Sequence, residues 1–374
     1  MKRVVLTLCV LVLAATIGPR VRVQNNPVLT MQVKAQGPTP ACTPPMGVGA
    51  SVEQTAWQLF VAATCPVDNN KYPYVTWEKW IEQNQLYGGA AALAPNQRPR
   101  FHMSPLAQIL QEEKTKGKNA MPTEKLIPEA ANQGCNNKTW SKRTICEEAR
   151  LNPEAEGYVK SEKLTTRQGQ VNFVTAGKTF IFPPPAVEIK ADWIKLNSCQ
   201  NLPEGVHVET VDNVCYALGG IHLISKLIDK WIWATFEPQN ATTNPQRCVV
   251  LGCKDSWGSM PATSSGKSTK LTQALSDLMT QANLAKEWRN YRLDGVQVDF
   301  MDGGQPTRLG NSIIEGDNAG TPAKMKVSSC ITCHDLSTIN KQGQSMKPNF
   351  ILGVPTIQPG YVTRDFVWSL ALAH

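Results

Sequence analysis

The residues in this chain best spaced for chemistry are Cys330, Cys333 and His334, in the stretch VSSCITCHDL at 327–336. Two thiols three apart with an imidazole directly behind them suit covalent haem attachment, a zinc knuckle or a redox dithiol. With 11 Cys and 5 His in 374 residues, random placement gives the pattern only ~0.004 times per chain. A thioredoxin-type dithiol needs a βαβ setting and makes no use of the trailing histidine. A structural zinc site needs four ligands, and no second pair at matching spacing exists, since Cys248 and Cys253 stand five apart and the rest are scattered. Covalent haem attachment needs only what is present. The two thiols add to the porphyrin vinyl groups, and His334 takes the iron as its proximal ligand. The expected cofactor is one covalent haem c on Cys330, Cys333 and His334.

A second axial ligand is harder to choose. His222 stands in GGIHLISK, beside two glycines that permit close backbone approach. Met346 follows the motif in QGQSMKPNF, within reach of the iron if that loop folds back. These are the two distal candidates, ahead of His102, Met325, His207 and His374. A solitary histidine in a strand is more commonly a hydrogen-bonded structural residue than a ligand, and a vacant or water-bound sixth position is the further alternative.

The N-terminus agrees with a c-type haem. MKRVVLTLCVLVLAATIG has a basic start and an apolar run that is short for a membrane span, with an uncleaved anchor as the alternative to a signal peptide. Residues 1–24 are expected to be a signal peptide and 25–50 an extended, Pro/Gly-rich lead-in. The mature protein is then exported, to the periplasm or beyond, with no membrane span after cleavage. The formal charge of +8 includes Lys2, Arg3, Arg20 and Arg22. Without them, 34 basic residues face 30 acidic ones, a net +4, and no Lys/Arg cluster of the nucleic-acid-binding kind occurs. Cysteine usage fits an oxidising compartment. Setting aside Cys9 and the motif pair, eight remain, enough for four disulfides. Pairing in chain order (42–65, 135–146, 199–215, 248–253) is the simplest arrangement.

The elements that must position the motif follow from periodicity. Ser51 caps a helix over SVEQTAWQLFVAAT, with Trp57, Phe60 and Val61 on one face. VTWEKWIEQNQLY reads as a second helix, and 105–116 and 139–151 as surface helices. The carboxylate pairs Glu112–Glu113 and Glu147–Glu148 read as solvated faces of these. Residues 170–237 show short alternating apolar runs and read as strands of an antiparallel sheet or sandwich. Residues 270–292 read as a helix, GVQVDF as a strand, 330–338 as helical and TRDFVWSLALA as a closing helix. The fold class is α+β: a β-rich body (166–260) with flanking helices and a C-terminal haem-binding helical segment (320–374), as a single haem-housing domain over 51–374. Only 40 residues follow His334, too few to enclose a haem, so the preceding chain must supply much of the pocket wall.

Taken in order, VEIKADWIKL, GGIHLISK, KWIWATFEPQN, LGNSIIEG, SSCITCHDLS and DFVWSLALA resemble bacterial cytochrome c family proteins that are exported and carry a single CxxCH near the C-terminus. The resemblance spans roughly residues 50–374. It implies a β-rich body around one haem, with Lys190, Trp193, His222, Lys226, Trp231, Trp233, Glu237, Asn311 and Glu315 as candidates for the pocket wall. Such relatives often carry histidine after the glutamate of WATFE, where this chain has Pro238, so any role of that histidine is absent here. SSGKST at 264–269 is not a P-loop, because Pro261 stands where glycine is required.

Two functions are expected first, ahead of a third in which the sandwich-like body recognises a ligand or partner and the haem reports or relays electrons. The first is an exported monohaem c-type cytochrome that transfers electrons, its partner unspecified. The alternative is a haem-dependent oxidoreductase, peroxidase-like or acting on a small molecule, with an open sixth iron site and His222 or Glu237 as acid/base.

Overall fold

The computed structural model describes residues 40–67, 75–87, 145–211, 213–239, 246–266, 268–317, 325–346 and 349–373. The signal peptide, most of the lead-in, the 105–116 helix, Glu112–Glu113, His102, Cys135 and His374 lie outside them.

Strands β1 (Ile81–Glu82), β2 (Ile145–Leu151), β3 (Val187–Lys195), β4 (Val208–Val211), β5 (Val214–Ser225), β6 (Ile232–Pro238) and β7 (Tyr291–Gln297) form one seven-stranded antiparallel sheet. The spatial order is β1-β2-β3-β5-β6-β7, with β4 also paired to β5. β4 runs along Val214–Ala217 and β6 along Ile221–Ser225 of the same β5 edge. The handover falls at Gly219, where the β3–β5 register shifts. Of the two expected arrangements, antiparallel sheet or sandwich, the described strands form the first, one sheet covered by helices and loops. Smaller ladders include β8 (Thr338–Asn340) with β9 (Tyr361–Thr363).

Period-two alternation gives the sheet two unlike faces. On one, Ile189, Trp193, Leu223, Phe236 and Leu293 join the main apolar core. Helix α1 (Val52–Thr64), capped by Ser51 as expected, lays Trp57 and Phe60 there, and Phe60 stacks on Phe236 at 4.3 Å. On the other face stand Glu147, Glu188, Asp192, His222, Thr235 and Glu237, all buried. Buried polar groups require partners, so this face is committed to specific neighbours.

Several expected helices differ. VTWEKWIEQNQLY breaks into a 3₁₀ turn (Thr76–Lys79), β1 and the short α2 (Gln83–Tyr87). The Trp80 carbonyl accepts from Arg150 Nη1 at 2.7 Å, and Ile81–Glu82 pair with β2, so tertiary pairing wins over a continuous helix. The 139–151 stretch supplies β2, which pairs with β3 along its length. Glu147 and Glu148 are thus buried rather than solvated. Glu148 accepts from Trp193 Nε1 at 3.0 Å and pairs with Arg150 at 2.7 Å, while Glu147 lies 3.6 Å from Lys190.

Helix α3 (Pro153–Ser161) follows, capped by Asn152. Within the expected strand region, α4 (Arg167–Thr175) is helical, because Thr166 caps it and Gln170, Phe173 and Val174 bury at helical spacing. The 270–292 helix is shorter, α5 (Gln273–Gln281). Asn283 turns left-handed at φ 52° and ends it. TRDFVWSLALA is only a 3₁₀ turn at Trp368–Leu372. Among the described residues no helix is long and apolar enough to cross a membrane.

The expected pairs 42–65, 199–215 and 248–253 are disulfides. Cys146 is also disulfide-bonded.

Candidate functional site

The motif residues form α6 (Cys330–His334), one short turn of helix. Cys330 and Cys333, at i and i+3, share a face and are half-buried. The turn is held from two sides. From the sheet, Gln297 at the end of β7 accepts from Ile331 N at 3.0 Å and donates to Ser329 Oγ at 2.8 Å. Ser329 in turn caps the helix. From the C-terminal side, Trp368 Nε1 donates to Cys333 O at 3.3 Å, Gly353 N to Thr332 Oγ1 at 3.2 Å and Thr356 N to Asp335 Oδ2 at 2.7 Å.

His334 is fixed by two contacts. Its ring lies 4.6 Å from that of Trp233, and its Nδ1 lies 2.7 Å from the Phe366 carbonyl oxygen. A carbonyl only accepts, so the proton sits on Nδ1 and Nε2 carries the lone pair. This is how proteins orient an imidazole for a metal.

The thiols and His334 open on a cleft that is partly enclosed and partly open to solvent. The polar sheet face forms the facing wall through Glu188, Lys190 and His222, with Glu315 beside them. Ile224, Trp233 and Phe350 supply apolar surface. His222 Nε2 lies 3.3 Å from Glu315 Oε1. Burial works against a charged ring, yet the Glu315 carboxylate outweighs it, and the His222 pKa is raised. Burial pushes the Glu188 carboxyl up to about 7, against the Ser369 hydroxyl bond at 2.7 Å and the nearby Lys190 charge.

Glu315 reaches this wall because a π-helical turn, Ser312–Asp317, packs on Gly219 and Gly220. A Cβ on Gly220 would sit 2.3 Å from Asn311 Nδ2, so the close approach expected of the paired glycines is real. Asn311 Nδ2 bonds the Phe236 carbonyl at 3.3 Å, and Ser312 N donates to Glu237 at 2.7 Å.

The structure thus brings Lys190, His222, Trp233 and Glu315 together with the motif and places the other candidates elsewhere. Trp193 is in the core on the opposite face, where the alternation of β3 puts it with Ile189 and Ala191. Glu237 and Asn311 support the π-helical turn from outside the lining. Lys226 pairs with Asp365 at 2.7 Å, and Trp231 packs among apolar residues with Phe182. Met346 is buried beside Leu336, Trp368 and Cys333, and neither it nor the buried Met325 lines the cleft. His207 lies on the far face, its Nε2 3.1 Å from both Glu78 and Glu209.

Sequence reasoning missed Gln297, Glu188 and the Phe366 carbonyl. Glu188, Lys190 and Asp192 alternate with Val187, Ile189 and Ala191 in one strand, and that pattern was the available signal for a polar face.

The residues present fit the group the motif implies. Two thiols on one face and an imidazole with its Nδ1 proton fixed open on the same part-apolar cleft. Comparison of the chain with family models, curated proteins and solved structures finds no match to any of them.

Proposed function

We propose that this protein is an exported c-type cytochrome that transfers electrons through one covalent haem. The observation that carries the reading is His334: its proton is directed onto the Phe366 carbonyl, in a cleft that also receives Cys330 and Cys333. Cys330 and Cys333 would tether the ring, and His334 Nε2 would ligate the iron. When bound, the haem supplies a one-electron ferric/ferrous couple whose potential follows axial ligation, burial and nearby charge. Trp233 and Phe350 keep water from part of the cleft, and the Glu188–Lys190–His222–Glu315 wall sets its local field. Of the two distal candidates, the cleft favours His222 over Met346. Export rests on the N-terminal segment and on the disulfides, and the mass of the mature N-terminus checks it.

The His222–Glu315 pair favours one second reading, a haem-dependent oxidoreductase in which that pair moves a proton beside an open iron position. Visible spectra of the purified protein, oxidised, dithionite-reduced and then exposed to carbon monoxide, separate the readings. A low-spin spectrum unmoved by carbon monoxide is expected for the electron carrier and should be lost in His222→Ala. Rapid carbon monoxide binding would put the oxidoreductase first. Absence of c-type haem bands would remove both.

A further inference from the structure

We propose that the buried Lys226–Asp365 ion pair is a positioning device that fixes the Phe366 carbonyl on His334 and so sets the donor strength of the imidazole. The proposal rests on the haem reading of His334.

Three observations carry it. First, Asp365 and Phe366 are consecutive non-glycine residues at φ 52° and 68°, a left-handed conformation that side chains with a Cβ resist. Such a turn persists only where its surroundings over-determine it. Secondly, the surroundings do so. Asp365 Oδ1 accepts from Lys226 Nζ at 2.7 Å and Oδ2 from Phe182 N at 2.8 Å. Lys226 Nζ also donates to the Asp229 carbonyl at 2.6 Å, and the side chains of the ion pair are only 8% and 7% exposed. On the other flank, Arg364 N donates to the Ser337 carbonyl at 2.7 Å and its Nε to Gln170 Oε1 at 2.9 Å. Thirdly, this clamped turn presents the Phe366 oxygen to His334 Nδ1 at 2.7 Å.

A carbonyl held against Nδ1–H draws the proton outward and makes Nε2 a stronger donor. A stronger donor stabilises ferric over ferrous iron and lowers the potential. Loosening the turn should therefore raise it.

The test uses the full chain with three substitutions. Lys226→Met removes the donor and keeps the apolar stem. Asp365→Asn is near-isosteric and serves if Lys226→Met does not fold. Lys226→Arg restores a cation. The readouts are thermal melting, the His334 ring tautomer by long-range ¹⁵N–¹H NMR, and potentiometric titration of the haem-loaded protein. In the haem-free form of the folded Lys226→Met or Asp365→Asn variant, where no iron occupies Nε2, the ring is expected to pass from a single Nδ1–H form to a mixture. At fixed ambient potential the reduced-to-oxidised ratio should rise at least tenfold, about 59 mV for one electron. Lys226→Arg should return both towards the parent. A folded variant with unchanged tautomer and unchanged potential overturns the positioning role. Absence of haem from every form overturns the haem reading instead, and the tautomer then decides the positioning role alone.

Discussion

At the residue scale, Glu188 shows how the cleft wall couples to pH. Burial raises its pKa from 4.5 to about 7. Below pH 4.5 the carboxyl is protonated whether the chain is folded or not, and its contribution to stability is whole. Between 4.5 and about 7 the unfolded chain has released a proton that the folded chain still holds, so stability falls as pH rises through that window. Glu82, also raised to about 7 by burial, acts with the same sign. Melting temperatures across pH 4.5–8 should show this fall, and Glu188→Gln should flatten part of it; an unaltered slope in that variant would show that Glu188 does not titrate this way. That Cys330, Cys333 and His334 stand together on one short turn facing a cleft was legible from their spacing. The Phe366 oxygen was not, because it belongs to the backbone and no side-chain identity announces it.

At the scale of elements, Gln297 joins sheet to motif. Gln297→Leu leaves Ile331 N without its acceptor and removes one of the donors to Ser329 Oγ, at a cost of about 1–3 kcal/mol. Urea denaturation reads that loss, and a haem-stained gel should show less covalent attachment; a variant equal to the parent in both would show that β7 does not hold the motif. Gly220→Ala places a Cβ against Asn311 and should cost about 1–3 kcal/mol of overpacking. It should also move Glu315 away from His222, lowering the ring's pKa in an NMR titration of the haem-free protein. The α1 helix was legible from its cap and apolar spacing. β2 was not, because ICEEARL has helix-favouring residues, and only its register with β3, its Arg150–Glu148 pair and Trp193 make it a strand. The sheet was legible as alternation but not as one layer with unlike faces, since that depends on which neighbours cover each face.

At the scale of the molecule, the polar face of a single sheet is the surface on which the cleft is built, and the aromatic core behind it gives rigidity. Cys199–Cys215 ties the start of β5 to the loop leaving β3. Replacing both by serine should cost about 3 kcal/mol, seen as a lower melting temperature with an unchanged visible spectrum. A shifted spectrum would mean that the brace also shapes the cleft. The clamp on α6 has a further consequence, in time rather than space. His334 precedes Phe366 by 32 positions, so during synthesis the motif emerges well before the carbonyl that orients its ring. On the haem reading proposed above, the thiols of the motif are then available for attachment before the left-handed turn at Asp365–Phe366 has formed to hold the ring.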